Sequence, residues 1–464
     1  MTEPGFNPFA GPPVKLTPDR LWEILRELPA ADHYHLAFSG GLDSTVLLHC
    51  LAQAGDRLPG RLQALHVHHG LQSAADAWAL HCRRFCEDLC VPYRLIELEL
   101  VHRRGESLEA QARDARYASL AAAMGKGDLL LTAQHQDDQA ETLLLQLLRG
   151  SGPTGLAAMP RLIGFDPGWL ARPLLDFPRT TLEAYAIERG LSWIEDPSNR
   201  DLRFDRNYIR HRVMPLLQQR WPSAAATMAR SARLSGELQA LVDEQAAADL
   251  LTAHGPWPDT LSVSALQFLS SPRRRSLLRH WIRQQGGTMP GSRHLLRIEE
   301  ECLGAAQDAS PLVHWADVEV RRFRDGLFIL RPLPSHDPSR IIDWPDGRVL
   351  QLPAGIGELE LQAVEKGISE TKWRGMKIEI RFRRGGEQCR PAGFRHHRPL
   401  KTLFQEWAVP PWIRERIPLI YMDGQLAVIA GHAYCEPFAA TPGEAAVIPC
   451  WRHPYSPSED NCSD

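Results

Sequence analysis

Between about residue 20 and residue 150 the chain alternates short apolar runs with helix-patterned segments, and no other feature restricts the fold as strongly. The runs 33–40 (HYHLAFSG), 62–69 (LQALHVHH), 93–100 (YRLIELEL) and 128–135 (DLLLTAQH) read as strands. The segments 42–54, 74–90, 107–124 and 137–149 read as helices. Strands separated by helices of this length specify a largely parallel sheet covered on both faces, with ligands gathered at the carboxyl ends of the strands where strand order reverses. The polar clusters SGGLDS (39–44), HVHHG (66–70), GESLEA (105–110) and QHQDDQAET (134–142) fall at or just beyond those ends.

The pattern changes twice further on. A Gly/Pro-rich stretch (151–169) leads into the polar run WIEDPSNRDLRFDRNYIRHRVMPLL (193–217), and residues 218–303 are rich in Ala, Leu and Arg with helical periodicity. From about 311 short alternating strands appear, such as 318–331, and 371–450 is short-stranded with one helix near 400–408. The expected organisation is an α/β parallel-sheet nucleotide domain at 1–217, a helical domain at 218–310, a strand-rich linking segment at 311–370, a small mixed or β-rich domain at 371–450 and an acidic tail at 451–464.

A net charge of -3, from 53 Lys+Arg against 56 Asp+Glu, excludes a uniformly basic coat but leaves room for local basic surfaces. Residues 371–416 carry 12 Lys/Arg against 4 Asp/Glu, and 201–300 carry 14 against 9. Arg273–Arg275 and the stretch 381–398 are candidate holds on a phosphate backbone, with Phe382, Phe394 or Trp407 as stacking surfaces. Nine scattered cysteines argue against a disulfide framework. Cys82, Cys86 and Cys90, four apart, read as one buried helix stripe, because a metal site would more plausibly show a CxxC pair. No apolar run reaches the roughly 18 residues needed to span a bilayer, and the N-terminus lacks the order of a signal peptide, so a cytoplasmic protein without membrane partners is expected.

The chemistry concentrates at Ser39-Gly40-Gly41-Leu42-Asp43-Ser44. Two glycines permit close approach of backbone to ligand, and the helix that follows supplies unpaired N–H groups and a positive dipole end: a pyrophosphate cradle. Ser39 and Ser44 add hydroxyls, and Asp43 is suited to place Mg2+ between phosphates. The turn is neither GxxxxGK nor GxGxxG. Arg113 and Arg116, three apart on one helix face, can serve one phosphate group, with Ser107 as cap and Glu109 as a salt-bridge alternative. Asp137 and Glu141, four apart, share a face, whereas Asp138 points about 100° away. His66, His68 and His69 read as satisfied polar residues, since nothing nearby completes a zinc set.

SGGxDS resembles the PP-loop of ATP pyrophosphatases, and the full series of motifs resembles the tRNA(Ile)-lysidine synthases. That series is SGGLDS (39–44), HVHHGL (66–71), SLEAQARDARY (107–117), TAQHQDDQAETLLLQLLRGSG (132–152), RPLL (172–175), DPSNRDLRFDRNYIRHRVMP (196–215) and the C-terminal stretch 377–421. The resemblance implies use of ATP, Mg2+ and free L-lysine to convert the wobble cytidine of a CAU-anticodon tRNA(Ile) into lysidine. It implies that Ser39, Gly40, Gly41, Leu42, Asp43 and Ser44 hold the triphosphate, with Arg113 and Arg116 beside them. Asp43 and Asp138 would place the metal, Asp137 and Glu141 would recognise lysine, and Arg206 would touch the activated intermediate or the lysine carboxylate. Gln72 and Gln134 depart from the family pattern, which commonly has Arg and His there. A homodimer is compatible with the sequence, with no interface pattern to specify it.

The reaction so implied is adenylation of cytidine O2 followed by displacement of AMP by the ε-amine of lysine, with Arg113, Arg116, Arg149 and Arg206 offsetting phosphate charge. A tRNA thiolase would favour a reactive cysteine pair near the loop, and a non-enzymatic RNA-binding protein has no use for Asp43, Asp137 and Glu141 beside a phosphate turn.

Overall fold

The computed structural model describes residues 15–68, 75–98, 108–306 and 309–452. His69, Gln72 and Ser107 lie outside the described residues, as does the side chain of Glu109. The chain divides into two compact units, one up to Leu241 and one from Val242.

In the first unit α1 (Pro18–Leu25) precedes β1 (His33–Ala37), α2 (Leu42–Ala54), β2 (Arg61–His68), α3 (Ala75–Asp88), β3 (Tyr93–Glu97), α4 (Leu108–Ala122), β4 (Leu129–Leu131) and α5 (Gln136–Leu148). The strands and helices expected between 33 and 149 are thus found, with β1 and β4 ending three and four residues earlier than expected. The sheet order is β3-β2-β1-β4-β6-β5, with β5 (Leu162–Phe165) and β6 (Gly168–Ala171) forming a hairpin inside the Gly/Pro-rich stretch. All neighbouring pairs are parallel except β5–β6. Because β2 and β3 build outward on one side of β1 while β4 pairs on the other, the order reverses between β1 and β4, and a crevice opens beyond their carboxyl ends. Leu36, Ala64, Leu65 and Leu129–Leu131 have no exposed surface, as strands covered on both faces require.

After α6 (Pro153–Leu156) and α7 (Arg179–Glu188), the chain enters α8 (Asp205–Tyr208), a π-helical turn over Ile209–Val213 and α9 (Met214–Arg220). α10 (Ala224–Thr252) then carries the chain into the second unit. There, helices Val263–Phe268, Ser271–Gln284 and Ser292–Arg297 pack on an antiparallel sheet of β7 (Leu261–Ser262), β10 (Gly326–Leu330), β9 (Val318–Phe323) and β8 (Leu312–Trp315). Leu277, Leu278, Trp281 and Ile282 share one core with Val313, Val320 and Leu327, so the expected boundary at 310/311 falls inside a single core. The alternating strands bury one face, and the helices that precede them supply the cover. Beyond residue 340, antiparallel sheets built on Ile378–Arg381, Leu419–Met422 and Gln425–Ile429, and on Gly357–Val364 with Ala446–Arg452, enclose Trp344, Trp373, Ile380, Ile420 and Val428. Helix Leu400–Glu406 matches the one expected near 400–408. Among the described residues no helix is long and apolar enough to cross a membrane.

Candidate active site

β1 is followed by Phe38, whose N–H donates to the Leu65 carbonyl at 2.8 Å, and the loop then turns on Gly40 at φ 79. A Cβ at Gly40 would lie 2.7 Å from both Cys82 Sγ and Ile194 Cδ1, so neither the conformation nor the space admits a side chain. The loop braces itself from within: Ser39 Oγ and Ser44 Oγ are 3.1 Å apart, Ser44 Oγ donates to the Gly41 carbonyl at 3.0 Å and Thr45 Oγ1 to the Gly40 carbonyl at 3.2 Å. Leu42 is buried and pins the start of α2 to the core. Gly41 caps α2 without a side-chain hydrogen bond, which leaves the first amides of the helix to an anion.

Asp43 faces inward from the first turn of α2, and its Oδ1 is buried without a hydrogen-bond partner. Burial, reinforced by Asp138, raises its pKa against the opposing pull of His135, Arg179 and Arg210. Across the crevice β4 runs into His135, 1% exposed, whose Nε2 is 3.7 Å from Asp43 Oδ2 and 3.4 Å from Asp138 Oδ2. The loop after β1 and the start of α5 therefore meet on one imidazole.

Glu141 shares its partners not with Asp137, four residues before it, but with Asp138, three before it. Asp138, Ala140 and Glu141 lie on the face of α5 that is buried beneath α8 and the π turn. There Arg206 donates from Nη2 to Asp138 Oδ1 at 2.9 Å and from Nε to Glu141 Oε2 at 3.0 Å. Arg210 donates to Asp138 Oδ1 at 2.7 Å and to Glu141 Oε1 and Oε2 at 2.6 and 2.8 Å. Burial works against the charge on Asp138, but His135, Arg206 and Arg210 hold its pKa below the usual carboxylate range. Burial likewise opposes the charge on Arg210, and Glu141, Asp138 and Asp43 more than offset it. Asp137 turns the other way and accepts the backbone N–H of Arg179 at 2.8 Å, at the start of α7. Arg210 and His135 completed this constellation although sequence reasoning had not assigned them roles; the signal for Arg210 was its four-residue spacing from Arg206.

Arg113 and Arg116 lie on the exposed and half-buried parts of α4. Arg113 stands 5.3 Å from the centre of the Tyr117 ring. Burial first, then Arg113, lowers the pKa of Arg116, and Arg116 in turn is among the groups that, after burial, lower that of His66. His66 Nδ1 donates to the Phe38 carbonyl at 2.8 Å, which makes it a satisfied residue at the root of the loop. A further arginine, Arg172 of RPLL, is 7% exposed with its Nε unpartnered and Nη1 donating to the Pro160 carbonyl at 2.7 Å. Arg149, at the far end of α5, stands about 16 Å along the helix axis from Asp138, too far to share its site. Gln134 sits in the crevice with Oε1 buried and unpartnered.

Cys82 and Cys86 are fully buried, and burial pushes both thiols up to about 12; Cys90 is exposed at φ 56, where α3 has ended. No group of three His, Cys, Asp or Glu among the described residues could hold a metal by itself. Asp43 Oδ1 fits a single bond to Mg2+, an ion that keeps water and takes substrate phosphates for the remainder of its sphere.

In the second unit Arg273 is paired with Asp249, and Arg274 and Arg275 with Glu299 at 3.6 and 2.7 Å. Each arginine of the run 273–275 is thus in an internal ion pair, with the side chain of Arg273 still half exposed. Phe382 is core, and Trp407 stacks on His432 at 5.3 Å, whereas Phe394 is 41% exposed beside Arg398.

Residues 17–217 match the model of the PP-loop domain, 261–328 that of the TilS substrate binding domain and 378–451 that of the TilS substrate C-terminal domain. The chain is 46% identical over 424 residues to the tRNA(Ile)-lysidine synthase of Methylococcus capsulatus, covering 90% of this chain and 96% of that protein. It is 40% identical over 425 residues to that of Coxiella burnetii, covering 91% and 94%. Among solved structures, a U34-tRNA thiolase from Methanococcus maripaludis aligns at 16% identity and TM-score 0.41, over 47% of this chain and 78% of that one. The crystal structure of a TilS C-terminal domain aligns at 17% identity and TM-score 0.22, over 25% and 100%.

Proposed function

The chain belongs to the tRNA(Ile)-lysidine synthase family, and on that premise we propose how its own residues divide the reaction. The enzyme uses ATP to ligate L-lysine to C2 of the wobble cytidine of CAU-anticodon tRNA(Ile), through an adenylated intermediate, and so converts the tRNA from methionine to isoleucine specificity. The one observation that carries the assignment is the meeting of the glycine loop with the acidic start of α5 on His135.

The amides at the start of α2, with Ser39, Gly40, Gly41, Leu42 and Ser44 shaping the loop, would receive the β and γ phosphates. Arg113 and Arg116 would stand toward the departing pyrophosphate. Asp43 would hold Mg2+ through its unpartnered oxygen, with Asp138 behind it across His135. Mg2+, when bound, neutralises phosphate charge and favours attack at the α phosphorus.

Asp138 and Glu141 opposite Arg206 and Arg210 form a neutral quartet of two negative and two positive groups. An amino-acid zwitterion is complementary to it: carboxylates for ammonium, guanidinium for carboxylate. Arg206, 34% exposed against 2% for Glu141, is the member a ligand meets first. Asp137, outside the quartet, spends Oδ2 on the Arg179 amide and lies 3.7 Å from His135 Nδ1, which leaves Oδ1 to face the lysine ammonium and makes Asp137 a candidate to take its proton before attack. The residues 1–217 would carry the chemistry, and the segments after 218 would hold the tRNA.

The test supplies protein, Mg2+, ATP, radiolabelled lysine and tRNA(Ile) with a CAU anticodon, and measures label in tRNA together with pyrophosphate release. Label should enter tRNA(Ile) only with ATP and should not enter tRNA(Met). Asp43→Ala should block pyrophosphate release, whereas Asp137→Ala and Glu141→Ala should raise the lysine KM. Equal lysine KM in all three variants and the parent would overturn this division of roles.

A further inference from the structure

Two segments of the second unit bring arginines together without carboxylates to answer them. Arg324 occupies the turn between β9 and β10 at φ 51, a conformation that residues other than Gly, Asn and Asp rarely adopt. Its guanidinium lies 5.4 Å from the centre of the Phe323 ring, and its Nη2 donates to the Gln405 carbonyl at 2.5 Å. Arg414, at the end of helix Pro411–Arg414, approaches the same ring at 6.0 Å and donates from Nε to the Val409 carbonyl at 2.9 Å. Arg383, just beyond strand Ile378–Arg381, has a buried Nε with no hydrogen-bond partner. Arg324 and Arg414 thus share the Phe323 ring, and burial first, then the charges of Arg383 and Arg324, lowers the pKa of Arg414.

Neighbouring arginines are treated differently. Arg321 is paired with Glu319 at 2.8 Å, Arg381 with Glu379 at 2.5 Å, and Arg398 with Glu406. Arg324, Arg383 and Arg414 make no such pair among the described residues, and their hydrogen bonds go only to carbonyls. Like charges gathered in partial burial raise the energy of the fold unless an anion joins them. Beside them the Nε1 of Trp412 is also buried without a partner, and its indole packs edge-on against the same Phe323 ring at 6.3 Å. The guanidinium fork is matched to phosphate oxygens, and an indole N–H is one more donor.

We propose that Arg324, Arg383 and Arg414 form a phosphate site that grips the backbone of the tRNA substrate across the seam between the 261–328 and 378–451 segments. The assignment rests on the tRNA substrate named above. The seam requires both segments: Arg324 comes from the first, and Arg383 and Arg414 from the second.

The test measures binding of labelled tRNA(Ile) to the full chain over a range of salt, for the parent and for Arg324→Gln, Arg383→Gln, Arg414→Gln and Arg383→Lys. Each Gln variant should bind about 5- to 10-fold more weakly at low salt, and the slope of log affinity against log salt should shrink by about one. Arg383→Lys, which keeps the charge, should keep most of the slope. Affinity and slope equal to the parent in all three Gln variants would overturn the seam. Should a variant not fold, arginine modification of the parent by a dicarbonyl reagent replaces it: Arg383 should be protected by tRNA, and equal modification with and without tRNA would overturn the proposal. A parallel titration uses inorganic phosphate alone. Phosphate stabilising the parent while the variants bind tRNA unchanged would mark a site for a free anion and reject the polynucleotide. A parent that does not bind tRNA(Ile) would overturn the family function, and the seam with it; a parent that binds beside unchanged variants would overturn the seam only.

Discussion

Asp43 and Asp138 approach the same imidazole nitrogen, His135 Nε2, at 3.7 and 3.4 Å, although 94 residues and three strands lie between them. The two carboxylates differ in what else they touch. Asp138 is saturated by two arginines and the His135 amide, whereas Asp43 keeps a buried oxygen without a partner.

That difference predicts opposite effects on activity and stability at Asp43. Asp43→Asn removes a carboxylate that burial disfavours, so the ligand-free protein should gain about 1 kcal/mol, or about 2–4 °C in unfolding midpoint. Pyrophosphate release should fall by at least about 100-fold. Calorimetry without ATP and a pyrophosphate assay on the same preparation check both signs, and a lowered midpoint would reject the argument.

Glu141 and Asp137 should separate on stability. Glu141→Ala leaves Arg206 and Arg210 short of acceptors in a buried site, an expected loss of about 3 kcal/mol and about 6–12 °C. Asp137→Ala forfeits one bond to the Arg179 amide at the start of α7, about 1 kcal/mol and about 2–4 °C. Thermal melts of the two variants, read beside their lysine KM, distinguish a residue that holds the site together from one that borders it.

The pH dependence follows from the directions of the two aspartate shifts. The folded pKa of Asp138 is below its ordinary 3.8, so its stabilisation is complete above the unfolded value and disappears as pH falls through the folded one, below about pH 4. The folded pKa of Asp43 is above 3.8, so its cost is complete above the folded value and is relieved as pH falls through it. Midpoints of the parent and Asp138→Asn should therefore converge as the solution is acidified below about pH 4, and those of the parent and Asp43→Asn should also converge, from the opposite side. A gap that stays constant through the acid range in either pair would contradict the assignment.

Gly40→Ala should be severe. The new Cβ meets Cys82 Sγ and Ile194 Cδ1 at 2.7 Å, and φ 79 is unfavourable to alanine, so about 2 kcal/mol of stability should go and ATP affinity with it. Cys82→Ser should leave lysine transfer intact while lowering the midpoint by a few degrees, because the thiol acts only as packing. Loss of transfer at normal stability in Cys82→Ser would reopen a thiol mechanism.

Much of this site could be read from the chain before its fold was known. The alternation that ends in SGGLDS and in QHQDDQAET placed both clusters at strand exits, because apolar period and glycine turns are local properties. The pairing of Glu141 was not local. Helical spacing favoured Asp137, but the choice was made by Arg206 and Arg210, which arrive from 65 and more residues away. The hairpin of Leu162–Phe165 with Gly168–Ala171 was hidden for a similar reason: its strands are four residues each and show no alternation of their own, and only the free edge of β4 makes them strands. The pairing of Arg273 was equally hidden, because its partner Asp249 lies two helices earlier.

The π turn over Ile209–Val213 has a consequence for how this chain can change length. One residue beyond regular winding is accommodated between Arg206, the first of the two arginines that clasp Asp138 and Glu141, and the start of α9. Deleting it would return the segment to ordinary winding and swing everything downstream by about 100°. Arg206 would keep its grip while the start of α9 rotated away, and with it Met214, which shares a core with Ala140 of α5. An insertion or deletion here, harmless in most helices, would therefore be read by the enzyme as the loss of a side chain it still possesses.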